Sequence, residues 1–156
     1  MVPRLTAFLL MVNFSQTDSE KQGEVTVGQR NRRVLVVDDE ENARIGLSKI
    51  LEQEGYRVDS VANGQEALDF LQRQSVQVVI SDLQMPEMNG MAFLREINRH
   101  YPSTQVIMVT AHGGVESYLE AIHLGAYEYI NKPIRLDELR IVMDKMLTEK
   151  RVAKAN

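Results

Sequence analysis

The sequence predicts an α/β protein with a doubly wound, parallel sheet of five strands and five helices. From residue 33 onward, short apolar runs alternate with segments whose apolar residues recur at helical intervals, which is the rhythm of βαβ units. Three runs are almost continuously apolar, as expected of strands that helices cover on both faces. The predicted strands are residues 34–38, 56–62, 76–82, 105–111 and 126–130.

The second and fifth runs have the composition of edge strands. Arg57 and Asp59 interrupt the second run, and Glu128 interrupts the fifth. This arrangement fits the strand order 2-1-3-4-5, although the pattern alone leaves other orders open.

The first two predicted helices have recognisable ends. Apolar residues recur at helical spacing before Gly55, which supplies a left-handed stop ahead of the second strand. Asn63 is a good cap for the second helix, and Glu66 stands three residues later, as in a variant of the capping box.

The remaining three helices are predicted in the same way. The third begins at Asn89 and stops before Pro102, and the fourth covers about residues 114–124, with Gly125 as its terminator. The fifth carries a single apolar stripe and finishes in a basic tail. The stripe consists of Leu136, Leu139, Met143, Met146 and Leu147.

The length suits one domain, which we place at residues 33–150. Residues 1–32 are expected to form a disordered or loosely attached extension, and residues 151–156 a basic tail. The apolar stretch at residues 5–12 is far shorter than the roughly 20 residues of a membrane span, so no membrane association is predicted.

Composition narrows the possible partners. The chain has no cysteine, which excludes disulfides and cysteine-ligated zinc and suits a cytoplasmic protein. Residues 34–139 hold 8 basic and 17 acidic residues, a net charge of −9. Such a body repels the phosphates of nucleic acid, so direct nucleic-acid binding by this domain is not expected, whereas the excess of carboxylates favours a site for a divalent cation.

The chemically useful side chains collect at the carboxyl ends of the strands, where open α/β sheets bind ligands. The first strand ends in Asp38 and Asp39, the third in Asp82 and the fourth in Thr110, while Lys132 follows the fifth. Three neighbouring carboxylates repel one another unless a cation neutralises them, and oxygen ligands without histidine or cysteine favour Mg²⁺.

Lys132 beside a metal makes chemical sense when a further anion is expected, and a phosphoryl group meets that need. Asp82 is the predicted nucleophile, because it ends the central buried strand and the metal-binding pair flanks it. Taken alone, each of these residues has an ordinary structural interpretation, for example an acidic helix start or a surface lysine. Their coincidence at neighbouring strand ends favours the functional interpretation.

Four motifs carry a family resemblance. They are VLVVDDEENAR, VVISDLQMPEMNGMAFL, VIMVTAHGG and GAYEYINKPI, and they lie within residues 33–150. Together they resemble the response-regulator receiver domain of bacterial two-component signalling. The resemblance implies a flavodoxin-like fold and a phosphorelay in which a sensor histidine kinase or phosphotransfer protein supplies the phosphoryl group. It also implies that the domain catalyses only its own phosphorylation and dephosphorylation.

The resemblance further implies roles for the metal-binding residues. Asp39 would hold Mg²⁺ directly, and Asp38 would act through water and orientation. Asp82 would both accept the phosphoryl group and bind the metal, and the backbone carbonyl of Gln84 would complete the protein's ligands.

A second set of implied roles concerns the switch. Thr110 would hydrogen-bond one phosphoryl oxygen and Lys132 would pair with another. Tyr129 would move inward as Thr110 closes, changing the surface of helix 4, strand 5 and helix 5. The Lys132–Pro133 peptide bond would be cis. The side chains of Gln84 and His112 are predicted to tune the lifetime of the phosphate.

Two alternatives and one open question remain. A phosphatase with an aspartyl nucleophile is the main rival, but its DxDx[TV] motif is absent because Asp38 and Asp39 are adjacent. A dinucleotide-binding module is weaker, since no GxGxxG follows the first strand. The stretch from Val109 to Ile134 resembles receivers attached to AAA+ transcriptional activators. We therefore expect a downstream output domain or protein and transcriptional output. Homodimerisation through helix 4, strand 5 and helix 5 is also expected. The chain can be a stand-alone receiver or part of a longer regulator.

Overall fold

The computed structural model describes residues 32–155, so the predicted extension lies, apart from Arg32, outside the described residues. In the described part, five parallel strands form one sheet in the order β2-β1-β3-β4-β5 and alternate with five helices. The predicted fold class and strand order are confirmed. The elements are β1 Arg33–Val37, α1 Glu41–Gln53, β2 Arg57–Val61, α2 Gly64–Arg73, β3 Val78–Asp82, α3 Gly90–His100, β4 Gln105–Thr110, α4 Val115–His123, β5 Glu128–Asn131 and α5 Leu136–Ala155.

The sheet separates two apolar cores. Alternate residues of a strand point to opposite faces. Leu35 and Val37 of β1 therefore pack in the core that contains Phe93 of α3, whereas Val34 and Val36 pack in the core that contains Leu51 of α1. Burial on both faces explains why the central strands read as continuous apolar runs, and it leaves polar side chains only at the strand ends.

The helix ends follow the signals in the sequence. The side-chain oxygen of Asn63 accepts a hydrogen bond from the Glu66 N–H at 2.8 Å, and the Glu66 carboxylate accepts one from the Ala62 N–H at 2.9 Å. Gly55 and Gly125 follow α1 and α4 with φ of 97° and 102°, which glycine adopts without steric cost.

The last helix extends farther than the sequence predicts. It continues to Ala155, so the residues predicted as a basic tail are helical as far as that position. Among the residues that the structure describes, no helix has both the length and the apolar character needed to cross a bilayer.

Candidate functional site

The site lies at the edge of the sheet where all five parallel strands end. The register pairs Val37 with Ser81, and Asp82 with Val109 on the next strand. The residues just beyond these pairs on neighbouring strands therefore emerge side by side. The predicted convergence of strand ends is a direct result of this register.

Three carboxylates form an acidic cluster at this edge. Oxygens of Asp38, Asp39 and Asp82 lie within 4.8 Å of one another. The side chains of Asp38 and Asp82 are only 10% and 11% exposed, whereas Asp39 faces solvent. A half-buried group of carboxylate oxygens that is open on one side can bind a hard divalent cation and leave positions for water or an anion.

Lys132 bridges the two buried carboxylates. Its Nζ donates to Asp38 Oδ2 at 2.9 Å and to Asp82 Oδ2 at 3.0 Å. Burial lowers the pKa of the Lys132 ammonium, but the hydrogen bonds and charges of the two aspartates outweigh burial and raise this pKa above 10.5. The lysine is therefore a fixed cation. Three carboxylates and one ammonium carry a formal charge of −2, which one divalent cation would balance.

The two buried aspartates are oriented in the same way. Asp38 Oδ1 accepts from the Glu40 N–H at 2.9 Å, and Asp82 Oδ1 accepts from the Gln84 N–H at 3.0 Å. In each residue one oxygen thus bonds the backbone two positions later and the other bonds Lys132. Each carboxylate is fixed in rotation and retains further lone pairs for a ligand.

Arg44 was not identified from the sequence. Its Nη1 donates to the backbone carbonyl of Asp38 at 2.7 Å, so it stabilises the turn between β1 and α1. The signal available in the sequence was its place at the end of the first turn of α1, from which a long side chain can reach back toward the strand end.

Thr110 and Lys132 are linked through the backbone. The buried Thr110 ends β4, and its carbonyl accepts from the Lys132 N–H at 2.7 Å. Its hydroxyl oxygen accepts from the His112 N–H at 3.2 Å. The peptide bond between Lys132 and Pro133 is cis. Gln84 and His112, in contrast, are exposed.

Tyr129 lies inward on β5 and is 8% exposed. Its hydroxyl is 2.9 Å from Ser117 Oγ, and its ring meets the ring of Tyr118 edge-on with centroids 5.8 Å apart. Sequence reasoning predicted a role for Tyr129 but missed Ser117. A serine in the first turn of a helix has an ordinary capping interpretation, and its contact with β5 exists only in the folded chain.

The response regulator receiver domain is the family whose profile matches residues 34–144. The chain belongs to this family, as the sequence motifs predicted. The regulatory protein AtoC of Escherichia coli (strain K12) is 39% identical over 115 residues, which cover 74% of this chain and 25% of AtoC. Sporulation initiation phosphotransferase F of Bacillus subtilis (strain 168) is 33% identical over 117 residues, which cover 75% of this chain and 94% of that protein.

This chain is also similar to a solved receiver-domain structure. The beryllofluoride-activated NtrC4 receiver domain dimer is 37% identical, with a TM-score of 0.71, and the match covers 75% of this chain and 97% of that one. The chain spans about a quarter of the length of AtoC and of the NtrX-like response regulators that it matches. Membership in the family defines this domain as a phospho-signalling switch.

Proposed function

We propose that Asp82 accepts a phosphoryl group from a phosphohistidine of a sensor histidine kinase or phosphotransfer protein. The observation that carries this proposal is the Asp82 carboxylate itself. It is nearly buried, bound by Lys132 at 3.0 Å and by the Gln84 N–H at 3.0 Å, and grouped with two further carboxylates. These are the parts that a carboxylate nucleophile needs for phosphoryl transfer, because positioning and charge neutralisation supply most of the catalysis.

The acidic cluster fits Mg²⁺ by its donor set. Asp39 and Asp82 would hold the ion through their carboxylates and Gln84 through its backbone carbonyl, while Asp38 would act through water and by orienting the site. Bound there, Mg²⁺ would supply positive charge to the phosphoryl oxygens and reduce the repulsion between the incoming anion and the carboxylates.

The chain's own residues then perform the transfer. A carboxylate oxygen of Asp82 attacks phosphorus, the P–N bond of the donor breaks, and the imidazole leaves with the electron pair and takes up a proton. Lys132 pairs with a phosphoryl oxygen. The Thr110 hydroxyl accepts from His112 N–H, so it keeps its own proton to donate to another phosphoryl oxygen.

We propose that the acyl phosphate is short-lived and that the chain catalyses only its own phosphorylation and dephosphorylation. Gln84 and His112 each bond a site residue through the backbone N–H and have exposed side chains, which supports a role of these side chains in ordering or blocking the water that attacks the phosphate. Tyr129 is already inward in this structure, and we propose that closure of Thr110 on the phosphate shifts the balance between inward and outward rings further toward the inward one, which changes the surface formed by α4, β5 and α5.

We further propose that a second copy of the chain binds this surface. Its exposed apolar side chains include Val115 at 75%, Leu119 at 59% and Ile141 at 68%. An exposed apolar patch of this kind favours protein association, and the NtrC4 receiver domain is described as a dimer. The DNA-binding transcriptional regulator NtrC of Klebsiella pneumoniae is 33% identical over 113 residues, which supports transcription as the output. The lack of cysteine supports a cytoplasmic location.

Incubation with acetyl phosphate and Mg²⁺ tests the phosphoacceptor. We expect about one phosphate per chain, released by hydroxylamine as an acyl phosphate is. Asp82→Asn should abolish the incorporation, whereas the matched control Asp69→Asn, at an exposed position of α2, should retain it. Incorporation that persists in Asp82→Asn would refute the assignment. Repeated turnover of p-nitrophenyl phosphate by the unmodified protein would instead support the phosphatase alternative.

A further inference from the structure

We infer that Ser117 and Gly113 are positioning residues of the switch. Ser117 holds the Tyr129 ring in its buried place, and Gly113 leaves the space that the ring occupies. This inference rests on the proposed function in one respect, which is that Tyr129 transmits the state of the phosphoacceptor site.

The hydroxyl of Ser117 uses all of its hydrogen-bonding capacity. Its oxygen is 3.1 Å from the Gly114 N, 3.0 Å from the Gly114 carbonyl oxygen and 2.9 Å from the Tyr129 hydroxyl. A serine hydroxyl has one proton and two lone pairs. It therefore donates to the Gly114 carbonyl and accepts from the Gly114 N–H, so the remaining bond is one that Tyr129 donates. The inward tyrosine is the partner that completes the set.

Tyr129 contacts two consecutive residues in the first turn of α4. Besides the bond to Ser117, its ring makes the edge-on contact with Tyr118 at an interplanar angle of 90°. Rotation of Tyr129 outward would break both contacts together, so the start of α4 would lose this hydrogen bond and this ring contact with β5. The position of the ring and the position of α4 are therefore coupled.

Gly113 determines whether the ring fits. A Cβ at this position would lie 2.2 Å from Asn131 Oδ1 and 3.0 Å from both the Cε1 and the hydroxyl of Tyr129. Asn131 is exposed and its side chain can move aside, but the ring is enclosed. At Gly114, by contrast, a Cβ would meet nothing within 4 Å. Adjacent glycines thus differ in their steric role.

The loop between β4 and α4, which contains Gly113, joins Ser117 and Tyr129 to the phosphoacceptor site. It starts at Thr110, whose hydroxyl accepts from the His112 N–H, and it ends at Gly114, whose N–H and carbonyl both bond Ser117. Because both ends are fastened, a movement of Thr110 toward a phosphoryl group is transmitted over a few residues to Ser117 and so to Tyr129.

A double-mutant cycle tests the hydrogen bond. The variants are Ser117→Ala, Tyr129→Phe and the two combined, with Ser60→Ala on the edge strand β2 as the matched control. The ratio of inward to outward ring is read by NMR from the ring-proton shifts of residue 129, which the edge contact with Tyr118 displaces. The measurement uses the unphosphorylated protein, and the affinity for beryllofluoride with Mg²⁺ is measured in parallel.

We expect each single substitution to lower the inward-to-outward ratio by about fivefold, the factor that corresponds to one neutral hydrogen bond. The combined variant should show no further loss, because both substitutions remove the same bond. The beryllofluoride affinity should fall by up to the same factor. A purely structural role of Ser117 at the start of α4 would lower stability but would give additive effects of the two substitutions on the ratio, and that result would overturn the inference.

The glycines provide an independent test. Gly113→Ala should shift the ring outward, also when Asn131→Ala has removed the nearer obstacle, whereas Gly114→Ala should leave the ring inward. An inward ring in the Gly113→Ala, Asn131→Ala protein would refute the steric role.

If Ser117→Ala shifts the ring while wild type takes up no phosphate, the proposed function fails and the positioning role stands. If wild type is phosphorylated on Asp82 but none of these variants moves the ring, the positioning role fails alone.

Discussion

Replacement of Lys132 by methionine separates the electrostatic role of this residue from its packing. Methionine keeps much of the length of the lysine side chain but removes the ammonium that bonds Asp38 at 2.9 Å and Asp82 at 3.0 Å. The acidic cluster then retains three carboxylates without a fixed counter-charge. We expect a less stable protein in the absence of Mg²⁺ and a stronger response to the ion when it is added.

The structure sets the size of the effect. A hydrogen bond to a charged group contributes about 1.5–3 kcal/mol, and two such bonds are lost. The ammonium is 25% exposed, so solvent screening and the entropy of the released side chain reduce the loss. We therefore expect the free energy of unfolding to fall by about 1–3 kcal/mol.

Urea unfolding without and with Mg²⁺ measures the free energy of unfolding and the stabilisation that the ion adds. Saturating Mg²⁺ should stabilise the variant more than wild type, because the ion meets a formal charge of −3 instead of −2. Lys49→Met, at an exposed position of α1, is the matched control. Equal stability of Lys132→Met and wild type without Mg²⁺, together with equal stabilisation by the ion, would refute this account of the cluster.

The same comparison has a defined pH dependence. The pKa of Lys132 is raised above 10.5, because its two carboxylate partners together outweigh the lowering effect of burial. The stability that the charged lysine contributes is therefore fully present below pH 10.5 and is lost as pH rises through the folded-state pKa. The difference between wild type and Lys132→Met should be constant near neutrality and should decrease in more alkaline solution.

Two further predictions concern a close contact beside β3 and a buried tyrosine that precedes β2. A Cβ at Gly90 would lie 2.7 Å from the Leu83 Cα, so Gly90→Ala should destabilise by about 1–3 kcal/mol in urea unfolding. Gly46→Ala, where a Cβ in the middle of α1 would meet nothing within 4 Å, should stabilise the protein by about 0.5–1 kcal/mol. Equal changes in stability for Gly90→Ala and Gly46→Ala would contradict the steric argument. Burial, with the charge of Asp144 as a second cause, raises the pKa of Tyr56 to about 12. The unfolded state then loses the Tyr56 proton at a lower pH than the folded state. Wild type should therefore lose about 1–2 kcal/mol more stability than Tyr56→Phe between pH 10 and 12. Parallel pH profiles of stability for the two proteins would exclude this effect of Tyr56.

Much of the fold could be predicted because local chemistry and global arrangement agree. The continuous apolar runs required a sheet covered on both faces, and the edge strands carried charges where pairing ends. Asn63 and Gly55 marked helix ends that the folded chain uses. The boundaries were less exact. The first strand ends at Val37 and not at Asp38, so Asp38 and Asp39 begin the turn that follows the strand, and their carboxylates meet that of Asp82 in one cluster.

The acidic cluster was predictable for a related reason. The carboxyl ends of parallel strands meet at one edge, so residues far apart in sequence are brought together by topology alone. The proximity of Asp38, Asp82 and Lys132 could therefore be predicted from the strand topology. Their hydrogen bonds could not, because the sequence does not specify that one oxygen of each aspartate bonds a backbone N–H and the other bonds the lysine.

The sequence therefore predicted a set of strands that fits the observed order and placed the acidic residues and Lys132 at strand ends, because apolar periodicity and turn residues can be recognised within each short segment. The way in which Tyr129 is held could be seen only in the folded chain. Its contacts with Ser117 and Gly113 depend on how closely the loop after β4 approaches β5, and that approach is set by side chains packing from different elements. No spacing within either segment encodes such a distance.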